Sequence, residues 1–311
     1  MVLLALVTGV AGPAGTPAGA ASGEVFTTVS STVYNGYTRV KQSGGTFKPE
    51  TYSFGEGQFS GGAMRDPSID GFPFLKLARV LAPYLVRQNY LPTRALDQTD
   101  LIIVVHWGTT IPYDQGVYRN AIDGLSMAMT TGMAAAQTFG TSPGALEGGG
   151  SPTGATGNAL GAQLDGEIAS ALMLVEMEDR QRDQANARNA ALLGYLPELN
   201  RLGELKSSFA GFGTRYQDLV VDLEEDRYFV ILAAYDFHAA WKEKKLKLLW
   251  ITRVSIRERG NRFDEQLAAM LASAAPYFGR DTPGLMRGFA PEGKVKIGEP
   301  KVVGVAPEPR K

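Results

Sequence analysis

Apolar and polar positions in this 311-residue chain fall into a few periodic runs separated by polar or glycine-rich stretches. Val25–Val40 alternates apolar and hydroxyl residues and is rich in Val, Thr and Tyr, which predicts one strand or a hairpin turning at Asn35-Gly36. Glu50–Phe54 predicts a short strand, and the glycines of Gly55–Gly62 a flexible loop behind it. Phe74, Leu77, Leu81 and Leu85 recur at three- and four-residue steps. They predict an amphipathic helix that starts at Asp70-Gly71-Phe72-Pro73, with its acid and proline, and runs to about Gln88. Leu101–Trp107 is a continuous apolar run bounded by Asp100 and Gly108, as expected of a strand buried on both faces. Arg227–Asp236 and Leu246–Ile256 flank a lysine-rich connection and predict an antiparallel pair. Phe263, Leu267, Met270, Leu271 and Ala274 mark a last helix, with Asn261 as N-cap and Pro276 as its stop.

The stretch between these strand regions has a different texture. Tyr118–Phe139 is helical in pattern but dominated by Ala, Gly, Met and Thr, and Gly140–Gly161 holds eight glycines and one charge. A second long helix, from Gln163 to about Leu193, begins apolar at Ile168, Leu172 and Val175 and turns polar through Glu178–Asn189. Two helices joined by a glycine-rich loop read as a helical hairpin inserted at about 116–200. Gly124, Ala128, Gly132 and Ala136 stand at every fourth position, a smooth stripe suited to close helix packing. The stripe serves either the second helix of the same hairpin or contact with a partner chain or membrane. The uncharged stretch Gly124–Leu146 is too weakly hydrophobic for a membrane span. The fold class expected is therefore α+β: a mixed sheet with helices packed on one face and an inserted helical hairpin.

Composition sharpens this picture mainly by exclusion. With no cysteine, disulfide scaffolds, thiolate metal sites, Fe–S clusters and thiol nucleophiles are ruled out. Two histidines, His106 and His238, cannot build a multi-histidine metal site, and no metal or cofactor is expected. A net charge of −1 gives no sequence-wide pull toward nucleic acid. The phosphate-binding, zinc-protease and serine-hydrolase signatures are absent. At the N-terminus, the apolar run Val2–Val10 and the small residues Ala11–Ala21 resemble a signal peptide over 1–21, although the usual basic start is missing. One α+β domain over 22–289 and an extended tail over 290–311, with a short strand at Lys294–Ile297, complete the expected organisation. The expected setting is exported, periplasmic or extracellular.

The best candidate pocket is the exit of the apolar strand. His106, Trp107, Thr109, Thr110, Tyr113 and Asp114 place an imidazole, an indole, two hydroxyls, a phenol and a carboxylate within nine residues. Asp236 and His238 follow a second strand, so convergence of the two histidines is the test of a catalytic role. Packing at the rim of the sheet explains the same residues without chemistry, and no catalytic residue is assigned. Asp222-Leu223-Glu224-Glu225-Asp226 lacks the ligand pattern of a calcium loop and is expected to face Arg253, Arg257 and Arg259 on the neighbouring strand.

Tyr52-Ser53-Phe54, Tyr90-Leu91-Pro92, Thr99-Asp100-Leu101 and Leu249-Trp250 together resemble the pattern of uncharacterised bacterial envelope proteins, often lipoproteins, that carry a small domain of unknown function. The resemblance covers 50–107 and 226–278. It departs from that pattern in lacking a lipobox cysteine and in carrying the long insertion. It implies an exported α+β module that binds something or supports the envelope, and it carries over no catalytic residue. Three function classes follow. The first is a non-enzymatic binding or structural module with an envelope partner or self-association. The second is a hydrolase or small-molecule-binding enzyme using the loop after 101–107. The third is an oligomer-forming or peripherally membrane-associated protein acting through the small-residue stripe 124–148.

Overall fold

The computed structural model describes residues 25–140, 153–205 and 210–290. The expected signal segment, the glycine-rich loop and the tail with its Lys294–Ile297 strand lie outside the described residues. In chain order the elements are β1 (Val25–Val33), β2 (Glu50–Ser60), α1 (Phe74–Arg87), β3 (Tyr90–Pro92), β4 (Leu101–Thr109), α2 (Gln115–Gly140) and α3 (Thr153–Leu193). They continue with α4 (Leu196–Leu205), α5 (Ala210–Leu223), β5 (Arg227–Asp236), α6 (Phe237–Lys242), β6 (Leu248–Arg257), α7 (Phe263–Ala274) and β7 (Met286–Ala290).

The strands form one mixed seven-stranded sheet in the order β3-β2-β4-β5-β6-β1-β7. β4 runs parallel to β2 and antiparallel to β5, and β5 is antiparallel to β6 as the sequence predicts. The α+β class and the mixed sheet are as expected. Odd-numbered side chains of β4 (Leu101, Ile103, Val105 and Trp107) enter a core closed by Leu77, Leu81 and Leu85 of α1 and by Leu267, Met270 and Leu271 of α7. Helices also cover the other face, which the sequence did not predict. There Ala190, Leu193, Leu202, Leu219 and Leu223, from the end of α3 and from α4 and α5, pack on Phe229 and Ile231 of β5. The cover stops short of β4, whose Ile102, Val104 and His106 are half-buried rather than sealed on both sides.

Other local differences have physical reasons. Asn35 and Gly36 do turn, both with positive φ, but no return strand follows, because β6 and β7 occupy the two edges of β1. Gly55–Ser60 is strand rather than loop, since pairing with β4 overrides glycine's weak strand preference. The register shifts between Glu56 and Phe59, a bulge in β2. Asn261 does not cap α7. Arg262 holds the cap position, and the Asn261 amide donates to the Arg257 carbonyl instead.

α2 and α3 pack against each other as the predicted hairpin. Twenty-six residues make α2 about 39 Å long, and α3, with 41, reaches about 61 Å. Only the last part of α3 lies on the sheet: Asn189 donates to the Ile111 and Leu223 carbonyls, and Leu193 joins the second core. The remainder of the pair projects past the β4 exit as an arm.

Candidate functional site

The bulge explains His106. It removes the Gln58 N–H from the ladder, and His106 Nδ1 accepts that N–H at 2.9 Å. Gly57 permits this approach, because a Cβ there would lie 2.8 Å from Nδ1 and 2.6 Å from the Val105 carbonyl oxygen. Burial lowers the imidazole pKa, which favours the neutral form that can accept. Trp107 is buried, stacked on Phe74 at 6.0 Å and tilted against Phe59 at 5.9 Å. Thr109 is buried at the rim. Thr110 knits the β4 exit to the β5 entry, its Oγ1 accepting from Arg227 N at 2.9 Å.

His106 faces Ile231 across the ladder, whereas Asp236 faces Leu101 at the opposite end. Five residues of strand, about 17 Å, separate those positions. Asp236 caps α6 by accepting from Ala239 N at 3.1 Å, and His238 is exposed against the edge of Phe237. The candidate residues therefore divide between two ends of the sheet, and the histidine pair needed for the hydrolase reading does not assemble.

Tyr113 and Asp114 belong to the root of the arm, where they help line a cavity of about 380 Å³ with Glu178 and Arg188. Tyr113 donates to the buried Glu178, and burial together with that carboxylate pushes the phenol up to about 12. Asp114 accepts from Gly116 N at 2.8 Å as α2 begins. Glu224, which sequence reasoning passed over as one of an acidic run, is the hub of the root. Its carboxylate accepts from Arg182 Nε at 2.6 Å, Asn186 Nδ2 at 3.0 Å and Gln115 Nε2 at 3.1 Å. Beside it an open groove of about 750 Å³ runs between α3, α4 and α5, lined by Arg182, Leu199, Tyr216 and Val220 among others.

Along the arm, apolar side chains face outward on both helices. Met127 and Met173 are each 73% exposed, and Val117, Ile122, Met129, Leu172, Leu174 and Met177 are also exposed. In the small-residue stripe, Gly124 faces open space and Ala128 is half-buried, while the side-chain surroundings of positions 132 and 136, Gly132 and Ala136, lie outside the described residues. From Asn120 to Asp179 the sequence has no Lys or Arg. Among the described residues no helix is long and apolar enough to cross a membrane.

Away from the arm, several acidic and basic side chains pair across neighbouring elements. The predicted acid-to-arginine contact forms at Glu225–Arg257, 3.4 Å, while Asp222 takes Arg227 at 3.3 Å and Arg287 at 3.2 Å. Arg253 points elsewhere, its Cδ 3.0 Å from where a Gly194 Cβ would stand. Near the start of α7, burial and the neighbouring Asp226, Asp66 and Asp70 push the Glu258 carboxyl up to about 7. Among the described residues no group of three or more His, Asp or Glu side chains is placed to hold a metal ion.

At the far end of the sheet from the arm, α6 and the following turn carry Trp241, 56% exposed, and Leu246, 77% exposed, among Lys242, Lys244, Lys245 and Lys247. No model of a known protein family matches this chain, and no curated protein matches it.

Proposed function

We propose that the chain is an exported envelope protein with a non-enzymatic role, a binding module whose α2–α3 arm makes the contact with an envelope partner or a second copy. The arm's uncovered apolar surface carries this reading. Solvent-facing Met and Leu on both helices are costly to leave in water, and methionine's flexible thioether suits adaptable binding surfaces. The sheet and its two cores serve as the mount, and the Glu224 hub fixes the arm to it. The likeness of 50–107 and 226–278 to envelope proteins supports the exported setting.

The test is site-specific photo-crosslinking in producing cells, with a photoreactive residue at position 127 or 173 and a control at the exposed Leu75 of α1. The expected result is a discrete adduct from the two arm positions only, and an adduct of twice the chain mass identifies self-association. No adduct from either arm position, or the same adducts from position 75, overturns the reading.

A further inference from the structure

We propose that the end of the sheet opposite the arm, built by α6 and residues 243–247, is a docking surface for membranes containing anionic phospholipid. Four lysines fall within six positions, 242 to 247, with Glu243 the one acid among them. Lys245 stands 3.8 Å from Glu243 and Lys247 3.7 Å from the half-buried Asp236, loose contacts that leave both exposed lysines' ammonium charges available to lipid phosphates. Within this ring of charge, Leu246 is the most exposed large apolar residue among those described.

Trp241 is held rather than free. Its ring stacks on Phe237 at 6.0 Å with 9° between planes, and Phe237 is itself buried. Lys244 Nζ lies 5.2 Å from the indole ring. An indole fixed at a protein surface, an aliphatic tip and flexible lysines around both match the chemistry of the lipid headgroup region. There the indole sits at the polar boundary, the leucine enters the acyl edge, and the lysines extend toward phosphate.

The topology adds an orientation. Leu101 and Asp236 lie at this end of the β4–β5 ladder, while Thr109 and Tyr228 lie at the end from which the arm leaves. Tyr34 and Leu96, both exposed, sit on connections at the docking end. A molecule seated through Trp241 and Leu246 therefore holds its arm away from the bilayer, where a segment without Lys or Arg from 120 to 179 avoids anionic headgroups.

The chain provides its own reporter. Of its three tryptophans, Trp107 and Trp250 are buried and Trp241 is exposed, so a change in emission on docking comes from the site itself. The experiment titrates the full chain with vesicles of phosphatidylcholine, with or without phosphatidylglycerol, following tryptophan emission and co-sedimentation. A blue shift and co-sedimentation are expected with the anionic vesicles alone, weakening as salt is raised. Lys244→Gln with Lys245→Gln should weaken binding by about 25-fold, roughly fivefold per charge. Trp241→Phe should abolish the blue shift, and Leu246→Ser should reduce co-sedimentation. All four substitutions are at the surface, and unchanged melting confirms that the fold is kept. The proposal is overturned by no response to anionic vesicles, or by equal binding to neutral ones. A Trp241 shift that follows protein concentration without vesicles, with oligomers in sedimentation velocity, overturns it in favour of a second copy. Arm variants leave vesicle binding unchanged on this account, so failure here and failure of the arm reading are separable.

Discussion

Replacing Glu224 with alanine tests whether the arm is fixed to the body by the hub at its root. The Glu224 side chain is 8% exposed and accepts from Arg182, Asn186 and Gln115. The Arg182 bond is charge-assisted and short at 2.6 Å, and its loss leaves the guanidinium partly buried against Tyr118 without its carboxylate. Removing one partner of a fully buried pair costs roughly 3–5 kcal/mol, but Arg182 is about one-third exposed and water can take over part of the role. With the Asn186 bond included, the expected loss is about 2–3 kcal/mol. Urea unfolding followed by circular dichroism measures it, with an unchanged slope showing that the denatured state is not altered. The exposed Arg180–Glu176 pair is the internal control, and Glu176→Ala should cost less than about 0.5 kcal/mol. A double-mutant cycle with Arg182→Ala should show coupling of about 1–2 kcal/mol. If Glu224→Ala costs no more than Glu176→Ala, the root is not held this way and the arm's position has another cause.

Gly57→Ala should destabilise by about 1–3 kcal/mol in urea titrations, because its new Cβ meets the rigid Val105 carbonyl oxygen at 2.6 Å. Gly55→Ala, whose Cβ meets only the Val104 methyl at 3.1 Å and the Ile102 side chain beyond, should cost clearly less. Glu258, with its carboxyl raised to about 7, keeps its proton longer in the folded state than in the unfolded one. Its contribution is therefore complete below the ordinary carboxylate pKa and is lost as pH rises through about 7. Because the group is half-buried and water still screens part of its charge, Glu258→Gln should raise stability at pH 8 by only about 1 kcal/mol and change little at pH 4, read as the difference in melting between the two pH values. His106 has the opposite sign: its lowered pKa gives stability present above the ordinary imidazole value and lost as pH falls through the depressed one, so His106→Gln should flatten the acid side of the profile. Met127→Ser with Met173→Ser should move the melting temperature little, since neither side chain is packed, and should improve solubility at high protein concentration.

Legibility in the sequence followed the strength of the local pattern. The helix at Phe74–Arg87 and the strands at Leu101 and Arg227 were readable because their apolar periods match what they bury. β2 was half missed because Gly55 and Gly57 resemble a loop, yet they stand two residues apart on one face of a strand, and Gly57 lies where His106 folds over. Nothing local could reveal that ring, because it is supplied by β4 through a bulge. The hairpin was legible, but its root was not. Tyr113–Glu178, Asn189 and the Glu224 hub join residues 34 to 109 positions apart. Trp241 and Leu246 were hidden for a simpler reason: a lysine-rich connection between two strands looks like an ordinary solvated turn until its apolar side chains are seen to have no cover.

α3 reverses the arrangement that its composition suggests. Its polar second half, Glu178–Asn189, lies against the body and buries Glu178, Ala185 and Asn189, while its apolar first half projects. Within the projecting part, Ile168, Ala171 and Val175 recur at three- and four-residue steps and are half-buried, the stripe expected of contact with α2. Leu172, Met173, Leu174 and Met177 fall off that stripe and are exposed. A helix that needed only its hairpin partner would need one apolar stripe, with polar residues around the rest. Apolar residues on a second face add nothing to the stability of the monomer and cost solubility. Their presence where the helix has left the body, and their absence where it is packed, is the distribution that the proposed contact beyond the single chain requires.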